Sequence, residues 1–211
     1  MVKNETLALC IPAYNAAKYL PTILHSAAKQ QIPFDEILVY DDCSEDDTRL
    51  VAESFGAIVI SGDTNRGCSH GKNTLAATSS CQWLHFHDAD DDILDNFTVL
   101  AHNWISESGH FKDVLLLNFN YIDFSSKRIL GSANHNSVEL KKDPLRYAIN
   151  NKIVNFGVYK KSSFLSACGF DTNPLVLYNE DNAFHQRLAK KGLKFDYLET
   201  ITCINYRYEK S

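Results

Sequence analysis

A strand-then-helix pattern repeats three times in the first 80 residues, and this repeat constrains the fold more than any other feature of the sequence. Most of its apolar segments lack a clean apolar–polar alternation, which is typical of strands buried on both faces. Such a repeat predicts an α/β fold with a mostly parallel central sheet of nucleotide-binding type and helices on both faces. The predicted strands are Leu7–Ile11, Glu36–Tyr40 and Ala57–Ile60, and the helices are Pro21–Gln30, Asp46–Phe55 and His70–Ser80.

The remainder of the chain continues the sheet with shorter elements. Apolar runs predict strands at Trp83–Phe86, Val114–Tyr121, Lys152–Tyr159, Lys194–Leu198 and Thr202–Tyr208, and helices at Ser162–Cys168 and Asp181–Lys191. The polar stretch Ser125–Asp143 is expected to be a loop or flap. The sequence contains no linker and no internal sequence repeat that would divide the 211 residues. Residues 1–211 are therefore expected to form a single domain.

Composition and charge exclude several classes of protein. With 45% hydrophobic and 22% charged residues, the chain is an ordinary globular protein and not a disordered or fibrous one. A net charge of −5 argues against nucleic acid as a partner. No apolar run approaches the roughly 20 residues of a membrane span, and the N-terminal apolar run is too short for a signal peptide. We therefore expect a cytoplasmic protein without a transmembrane segment, with peripheral contact to the inner membrane face left open.

Polar residues follow three of the predicted strands directly. The segments are Pro12–Asn15, Asp41–Ser44 and His87–Asp92. In a parallel sheet the carboxyl ends of neighbouring strands meet at one edge, where ligands are usually bound. The three segments are therefore expected to converge on a binding site.

The acidic run Asp88–Asp92 is the most informative of these segments, because it holds four carboxylates in five residues. Such a run is costly unless a cation or solvent neutralises it, and hard oxygen ligands suit Mg²⁺ or Mn²⁺ shared with a substrate diphosphate. An EF-hand is excluded because Ile93 and Val99 stand where Gly and Glu are required. A haloacid dehalogenase-type phosphatase remains as an alternative, although Asp92 replaces the Thr or Val of its first motif.

Further candidates lie on the same expected rim. Asp41 and Asp42 are suited to accept hydrogen bonds from a base or a ribose, and Tyr14 to pack against a base. Lys72, in the first turn of a predicted helix, is either a diphosphate contact or a solvated surface lysine. Asp181 is either a general base or an acidic residue favoured at a helix start. His85 and His87 share one strand face beside Asp88, where a metal role competes with surface or supporting roles.

The ordered set IPAYN, EILVYDDCSEDDT, NRG, GKN, FHDADDD, GFD and NED resembles the motifs of the inverting family 2 glycosyltransferases, which have the GT-A fold. The resemblance extends over residues 7–192. It implies transfer of a sugar from a nucleotide-sugar, with a UDP-sugar as the favoured donor, to a saccharide or lipid-linked saccharide acceptor. In this family the setting is commonly cell-envelope or capsular polysaccharide synthesis. Residues 1–118 would form the nucleotide-sugar-binding half and residues 119–211 the acceptor-side half.

The resemblance also implies a role for each matching residue. Asp88 and Asp90 would form the DxD motif and hold Mn²⁺ or Mg²⁺, with Asp90 as the direct ligand, and Asp181 would be the base that deprotonates the acceptor. The residues implied in donor binding are Pro12, Ala13, Tyr14, Asn15, Asp41, Asp42, Lys72, Asp88, Ala89 and Asp90.

Three residues depart from the family pattern. Cys43 and Cys168 stand where the family has Gly, and Lys72 stands where it has Arg. A cysteine is strained at a position that requires a positive φ. A GT-A module that binds nucleotide without catalysis therefore remains an alternative, whereas a GT-A-like nucleotidyltransferase would need a Gly-rich loop that Pro12–Ala17 lacks. The sequence leaves open which sugar, acceptor, linkage and oligomeric state apply.

Overall fold

The computed structural model describes residues 5–154, 156–176 and 179–208. The strands are β1 Leu7–Ala13, β2 Glu36–Asp41, β3 Ile58–Ser61, β4 Trp83–Phe86, β5 Asp92–Ile93, β6 Val114–Asp123, β7 Ile129–Ser132, β8 Gly157–Lys160 and β9 Phe195–Arg207. The helices are α1 Leu20–Ala28, α2 Thr48–Ser54, α3 Cys68–Thr78, α4 Phe97–Ser108, α5 Ser137–Lys142, α6 Pro144–Asn150, α7 Lys161–Ser166 and α8 Glu180–Lys190.

All nine strands belong to one sheet. Its order is β3-β2-β1-β4-β8-β6-β9-β5, and β7 pairs with β6. The first four strands pair in parallel, as predicted for the βαβ repeat. Beyond β4 the pairing is mixed, because β8 runs antiparallel to both β4 and β6, while β6 and β9 are parallel. The prediction of a mostly parallel sheet therefore holds for the first half only. Antiparallel neighbours need no long helical crossover, which fits the short elements of the second half.

Helices cover both faces of the sheet, as predicted, and strand β1 lies inside it, between β2 and β4. Every residue of β1 is buried. Leu7, Leu9 and Ile11 face a core built with α1, α2 and α4, whereas Ala8 and Cys10 face a second core built with α3, α6, α7 and α8. The two-residue period of a strand places alternate side chains in opposite cores, which explains why the sequence of β1 shows no apolar–polar alternation.

The expected loop Ser125–Asp143 contains regular structure. It includes β7 and α5, and the Asn136 side chain accepts hydrogen bonds from the backbone of Val138 and Glu139 at the start of α5. This N-cap was a readable signal for a helix.

The last two predicted strands form the single strand β9, with irregular register beside Leu117 and Asn118. The predicted strand Lys152–Tyr159 begins only at Gly157, and Asn155 within it lies outside the described residues. Residues 1–4 and 209–211 of the predicted domain also lie outside them.

Candidate active site

The three polar segments converge at one edge of the sheet, because β2, β1 and β4 are neighbours. Ala13 at the end of β1 pairs with Asp41 at the end of β2, and Cys10 pairs with Phe86 at the end of β4. The Asp42 N–H then donates to the Ala13 carbonyl at 2.9 Å. The predicted convergence is therefore present in the structure.

A cavity of about 220 Å³, here called the β1–β2 pocket, lies between these two strand ends. Four of the residues singled out from the sequence line it, together with Tyr40, Asn65, Gly67 and Cys68; the four are Pro12, Ala13, Tyr14 and Asp42. Tyr14 is half-exposed, with 49% of its surface accessible, so its ring is free to receive a planar ligand.

The Asp42 carboxylate builds one wall of this pocket. Its Oδ1 accepts the Arg66 N–H at 2.8 Å, and its Oδ2 accepts the Gly67 N–H at 2.7 Å. Gly67 has φ +85°, a conformation that favours glycine. Charge-assisted bonds of this kind are about twice as strong as neutral ones, so Asp42 fixes the loop that closes the pocket.

Asn15 and Asp41 support the pocket from outside its lining. The Asn15 N–H donates to Ser44 Oγ at 2.9 Å, and Asn15 Oδ1 accepts the Glu45 N–H at 2.8 Å. The buried Asp41 carboxylate accepts the Ser44 N–H at 3.0 Å. Both residues therefore hold the loop after β2 against the loop after β1.

Lys72 is buried, with only 3% of its side chain exposed, so it is not a solvated helix lysine. Its Nζ lies 3.4 Å from Asp88 Oδ1 and 3.9 Å from Asp181 Oδ1. Burial opposes its charge, but the nearby carboxylates of Asp88 and Asp181 outweigh burial and raise the pKa of Lys72 well above its usual value. One cation thus joins two acidic residues that are 93 positions apart in the chain.

Close packing of α3 brings Lys72 to this position. A Cβ on Gly71 would lie 2.9 Å from the Tyr40 ring and 3.2 Å from Pro12, so only glycine allows the helix this near the sheet. The next residue, Asn73, accepts the Phe170 N–H at 2.8 Å and donates to the Phe170 carbonyl at 2.9 Å. The GKN and GFD segments of the sequence are therefore in direct contact.

Asp181 lies in the first turn of α8, and two residues that sequence reasoning missed hold this turn. His185 Nδ1 lies 2.7 Å from the Asp181 carbonyl, and His185 Nε2 lies 2.9 Å from the Tyr159 hydroxyl. Burial lowers the pKa of His185 to about 3, so the imidazole is neutral. It then donates from Nδ1 to Asp181 and accepts from Tyr159 at Nε2. The four-residue spacing from Asp181 was the available sequence signal.

The carboxylates of the acidic run separate into two groups. Asp91 is buried, and it accepts hydrogen bonds from Asn205 Nδ2 at 2.6 Å and from the Tyr206 N–H at 2.7 Å. Burial, with the charges of Asp88 and Asp90, raises the pKa of Asp91 to about 8. Asp91 therefore joins the run to β9, and the Tyr208 hydroxyl adds a 2.9 Å bond to the Asp90 carbonyl.

Asp88 and Asp90 retain solvent access, whereas Ala89 between them is buried in the core. Partial desolvation and the charge of Asp88 raise the pKa of Asp90, which shows that the two carboxylates repel each other. Two accessible hard oxygen donors that repel each other, with only Asp88 paired to a lysine, fit a divalent cation such as Mn²⁺ or Mg²⁺.

His85 and His87 are buried in the core beside the acidic run. His85 Nδ1 lies 2.9 Å from the Gly157 carbonyl, and His85 Nε2 lies 3.0 Å from His87 Nδ1. Both side chains are fully buried, and burial lowers the pKa of His85 to about 4 and that of His87 well below its usual value. The two neutral imidazoles therefore bind each other and the backbone of β8, and they stabilise the end of β4 next to the acidic run.

A second cavity of about 320 Å³, here called the central pocket, opens beside Asp88 and Asp181. Its aromatic wall includes Phe86, Tyr121 and Phe156, and its cationic residues are Lys152 and Arg207. Lys72 lies one turn after Cys68, which lines the β1–β2 pocket, and forms ion pairs with Asp88 and Asp181, which line the central pocket. The ion-paired triad of Lys72, Asp88 and Asp181 therefore links the linings of the two pockets.

Comparison with known proteins identifies relatives of this chain. Residues 8–111 match the profile of the family described as glycosyl transferase family 2. An uncharacterized glycosyltransferase of Haemophilus influenzae is 38% identical over 88 residues, which are 40% of this chain and 29% of that protein. The poly(ribitol-phosphate) beta-N-acetylglucosaminyltransferase TarS of Staphylococcus aureus is 32% identical over 124 residues, 55% of this chain and 21% of TarS. The chain thus spans less than a third of these curated relatives.

Solved structures share the fold. Residues 1–349 of S. aureus TarS in complex with UDP-GlcNAc superimpose with a TM-score of 0.79 at 22% identity, covering 98% of this chain and 60% of that one. A mannosyltransferase of Pyrobaculum calidifontis in complex with GDP-Man and Mn²⁺ gives a TM-score of 0.70 at 15% identity, covering 97% of this chain and 57% of that one. The predicted GT-A fold is confirmed. None of the helices in the described part of the chain is long and apolar enough to cross a membrane.

Proposed function

Because the chain belongs to glycosyltransferase family 2, we propose that it transfers a sugar from a nucleotide-diphosphate sugar to an acceptor hydroxyl, with inversion at the anomeric carbon. The observation that carries this proposal is the ion-paired triad, in which Lys72 lies within 4 Å of both Asp88 and Asp181. It joins the acidic strand end after β4 to a candidate base, and both carboxylates line the central pocket. The GT-A fold argues against the alternative of a haloacid dehalogenase-type phosphatase.

The β1–β2 pocket is the proposed nucleoside site. Tyr14 supplies an exposed ring for the base, and the free lone pairs of the Asp42 carboxylate are suited to accept from a base N–H or a ribose hydroxyl. The diphosphate would then extend toward Lys72 and Asp88. A UDP-sugar is the proposed donor, supported by the TarS complexes with UDP-GlcNAc and with UDP.

Asp90 and Asp88 are the residues proposed to hold Mn²⁺ or Mg²⁺. Their solvent access and mutual repulsion support this assignment, and a related fold has been solved with Mn²⁺. A divalent cation bound there would offset the negative charge that grows on the departing diphosphate.

Asp181 is the proposed general base. Its carboxylate accepts the proton of the acceptor hydroxyl as that oxygen forms a bond to the anomeric carbon. The bond from the anomeric carbon to the diphosphate oxygen breaks on the opposite face, and the electron pair leaves with the nucleoside diphosphate. This single in-line displacement inverts the configuration. Lys72, held cationic by its two carboxylate neighbours, stabilises negative charge on the leaving side.

The proposed acceptor is a saccharide or lipid-linked saccharide in envelope polysaccharide synthesis. Two relatives support this context, since they carry the names of a poly(ribitol-phosphate) transferase of S. aureus and a putative teichuronic acid biosynthesis glycosyltransferase of Bacillus subtilis.

Thermal unfolding with UDP, GDP, CDP and ADP, each with Mn²⁺ or EDTA, tests the donor site. A ligand at 100 times its Kd adds about 2.7 kcal/mol, which corresponds to roughly 5–10 °C for a domain of this size. We expect such a shift with UDP and Mn²⁺ and its loss in Asp90→Asn. Asp95→Asn, an exposed carboxylate outside both pockets, is the matched control.

Absence of any nucleotide-dependent shift in the intact protein would overturn the proposal. A nucleotide shift without sugar transfer from any donor in a panel of UDP-, GDP-, CDP- and ADP-sugars would instead support a non-catalytic nucleotide-binding module.

A further inference from the structure

Two cationic side chains line the central pocket, and neither has an acidic partner among the residues that the structure describes. Lys152 and Arg207 are both exposed at its wall. Within residues 5–154, 156–176 and 179–208, no carboxylate lies within ion-pair distance of either one, although the same structure pairs Lys72 and Lys141 with carboxylates. Their charges are therefore available to a ligand.

Arg207 is also held in place. Its guanidinium carbon lies 4.5 Å from the centroid of the Tyr121 ring, which lines the same pocket. Stacking of this kind orients the planar fork of the guanidinium, and a preoriented fork recognises phosphate or carboxylate through two parallel hydrogen bonds.

The distribution of charge in the pocket is asymmetric. Asp88, Glu180 and Asp181 are acidic lining residues, whereas Lys152 and Arg207 come from the segment before β8 and from the end of β9. An anionic ligand is repelled by the acidic residues and attracted to the two cations. A molecule that carries both a hydroxyl and an anionic group would thus be oriented with its hydroxyl toward Asp181.

We infer that the acceptor carries an anionic group, a phosphate or a carboxylate, which Lys152 and Arg207 bind while Asp181 receives the hydroxyl. This inference rests on the proposed function and specifies its acceptor class. The competing assignment gives these two cations to the donor diphosphate. That assignment requires them to act on nucleotide affinity, although neither lines the β1–β2 pocket.

Matched pairs of small acceptor analogues test the inference. The pairs are glycerol and sn-glycerol 3-phosphate, ribitol and ribitol 5-phosphate, and methyl glucoside and methyl glucuronide. Their binding to the full chain is measured by ligand-observed NMR titration in the presence of saturating UDP and Mn²⁺. We expect at least one anionic member to bind ten-fold or more tightly than its neutral partner. The phosphate and uronate pairs distinguish the two kinds of anion.

Variants then locate the effect. Arg207→Gln and Lys152→Gln should each remove most of the anionic preference and leave the Kd for UDP within two-fold of wild type. Arg207→Lys should retain part of the preference, because it keeps the charge and loses the fork. Lys29→Gln, an exposed cation outside both pockets, should change neither quantity.

Equal affinity for the members of every pair, including no detectable binding of either, would overturn the inference. A ten-fold loss of UDP affinity in Arg207→Gln or Lys152→Gln would also overturn it, because it assigns the cations to the donor. Failure of wild type to bind any nucleoside diphosphate is a different result, since it removes the proposed function itself.

Discussion

The two pockets are built in different ways. Every residue that lines the β1–β2 pocket lies within residues 8–111, the part of the chain that matches the family profile. Of the central pocket, only Phe86 and Asp88 come from that part, and the other lining residues lie between Tyr121 and Arg207. The proposed nucleoside pocket thus lies in the part of the chain that matches the family profile, whereas the proposed acceptor pocket depends on segments outside the match.

The physical means also differ. The β1–β2 pocket is formed by parallel strand ends and by a carboxylate, Asp42, that binds two backbone N–H groups. The central pocket is formed by side-chain charges on α8, on β9 and on the segment before β8. Changes in the first pocket should therefore alter nucleotide affinity and stability, and changes in the second should alter turnover.

Asp181→Asn gives the largest expected effect and tests the second pocket. The amide cannot accept the acceptor proton, so the turnover rate should fall by about 10²–10⁴-fold, while the Kd for UDP with Mn²⁺ stays within about two-fold. Steady-state kinetics and thermal shift measure the two quantities. Unchanged turnover would remove Asp181 from the mechanism, and a comparable loss of UDP affinity would show that the two pockets are not separable.

Asp42→Asn tests the first pocket. An amide has one acceptor oxygen, so one of the Arg66 and Gly67 N–H groups would face an NH₂ group, at a cost of about 1–3 kcal/mol in the free energy of unfolding. UDP affinity should fall at least ten-fold, and turnover at saturating donor should change little.

Asp41→Asn is the matched control for that variant, because Asp41 is buried beside Asp42 but accepts from Ser44 outside the pocket lining. It should lower the free energy of unfolding with a smaller effect on UDP affinity. Equal losses of UDP affinity in the two variants would contradict a specific role for Asp42.

Buried neutral histidines occur in both halves, and they predict a similar response to acid in each. The pKa of His85 is about 4 and that of His185 about 3, so between pH 6.5 and those values the unfolded chain binds protons that the folded chain does not. Each imidazole therefore lowers the free energy of unfolding as the pH falls, by about 2 kcal/mol at pH 5. Asp91, whose pKa is raised to about 8, acts in the opposite direction over this range.

The contribution of each histidine is measured as the difference in the free energy of unfolding between wild type and a variant that lacks it. Urea unfolding of wild type, His85→Gln and His185→Gln at pH 7 and pH 5 gives the stability gap between wild type and each variant. Each gap should shrink by about 2 kcal/mol from pH 7 to pH 5, since the glutamine variants carry no titrating group at that position. A gap that stays constant for one variant would show that its histidine is protonated in the folded state.

The smallest expected effect concerns the two cysteines at family glycine positions, one in each half. Cys43 has φ +64° and Cys168 has φ +61°, so both adopt the left-handed conformation that strains a side chain. Cys43→Gly and Cys168→Gly should each raise the free energy of unfolding by about 0.5–1 kcal/mol, after the greater freedom of glycine in the unfolded chain is subtracted. Cys43→Ala, which keeps a Cβ, should give no such gain in chemical denaturation.

Much of the first, parallel half of the sheet could be predicted from the sequence. The βαβ repeat and the polar strand ends placed Pro12, Asp42 and Asp88 at one edge because parallel strands carry their ends to the same side. Four of the named residues line one pocket, as their positions at the ends of β1 and β2 suggested. The side chains of Asp41 and Asn15, which were also predicted to bind the donor, instead form hydrogen bonds with the loop after β2. The direction of a side chain depends on the turn that follows the strand, and the sequence pattern does not give that direction.

The second half was less predictable for a physical reason. Its strands are short and pair in both directions, and β7, α5 and the continuous β9 depend on neighbours that are distant in sequence. Spacing could point to His185, four residues after Asp181 on α8, but not to Tyr159, which lies on strand β8. Long-range pairing, not local pattern, decided these elements.

The sequence by itself determined the α/β class, the parallel first half of the sheet and the acidic strand end, because hydrophobic periodicity and strand-end chemistry are local properties. Only the tertiary structure decided that Lys72 is buried between Asp88 and Asp181, that Asp91 binds β9, and that Lys152 and Arg207 share a pocket. The physical reason is that a charged side chain is buried only where a compensating charge lies nearby. The distance between two charges on segments far apart in sequence is set by the tertiary structure.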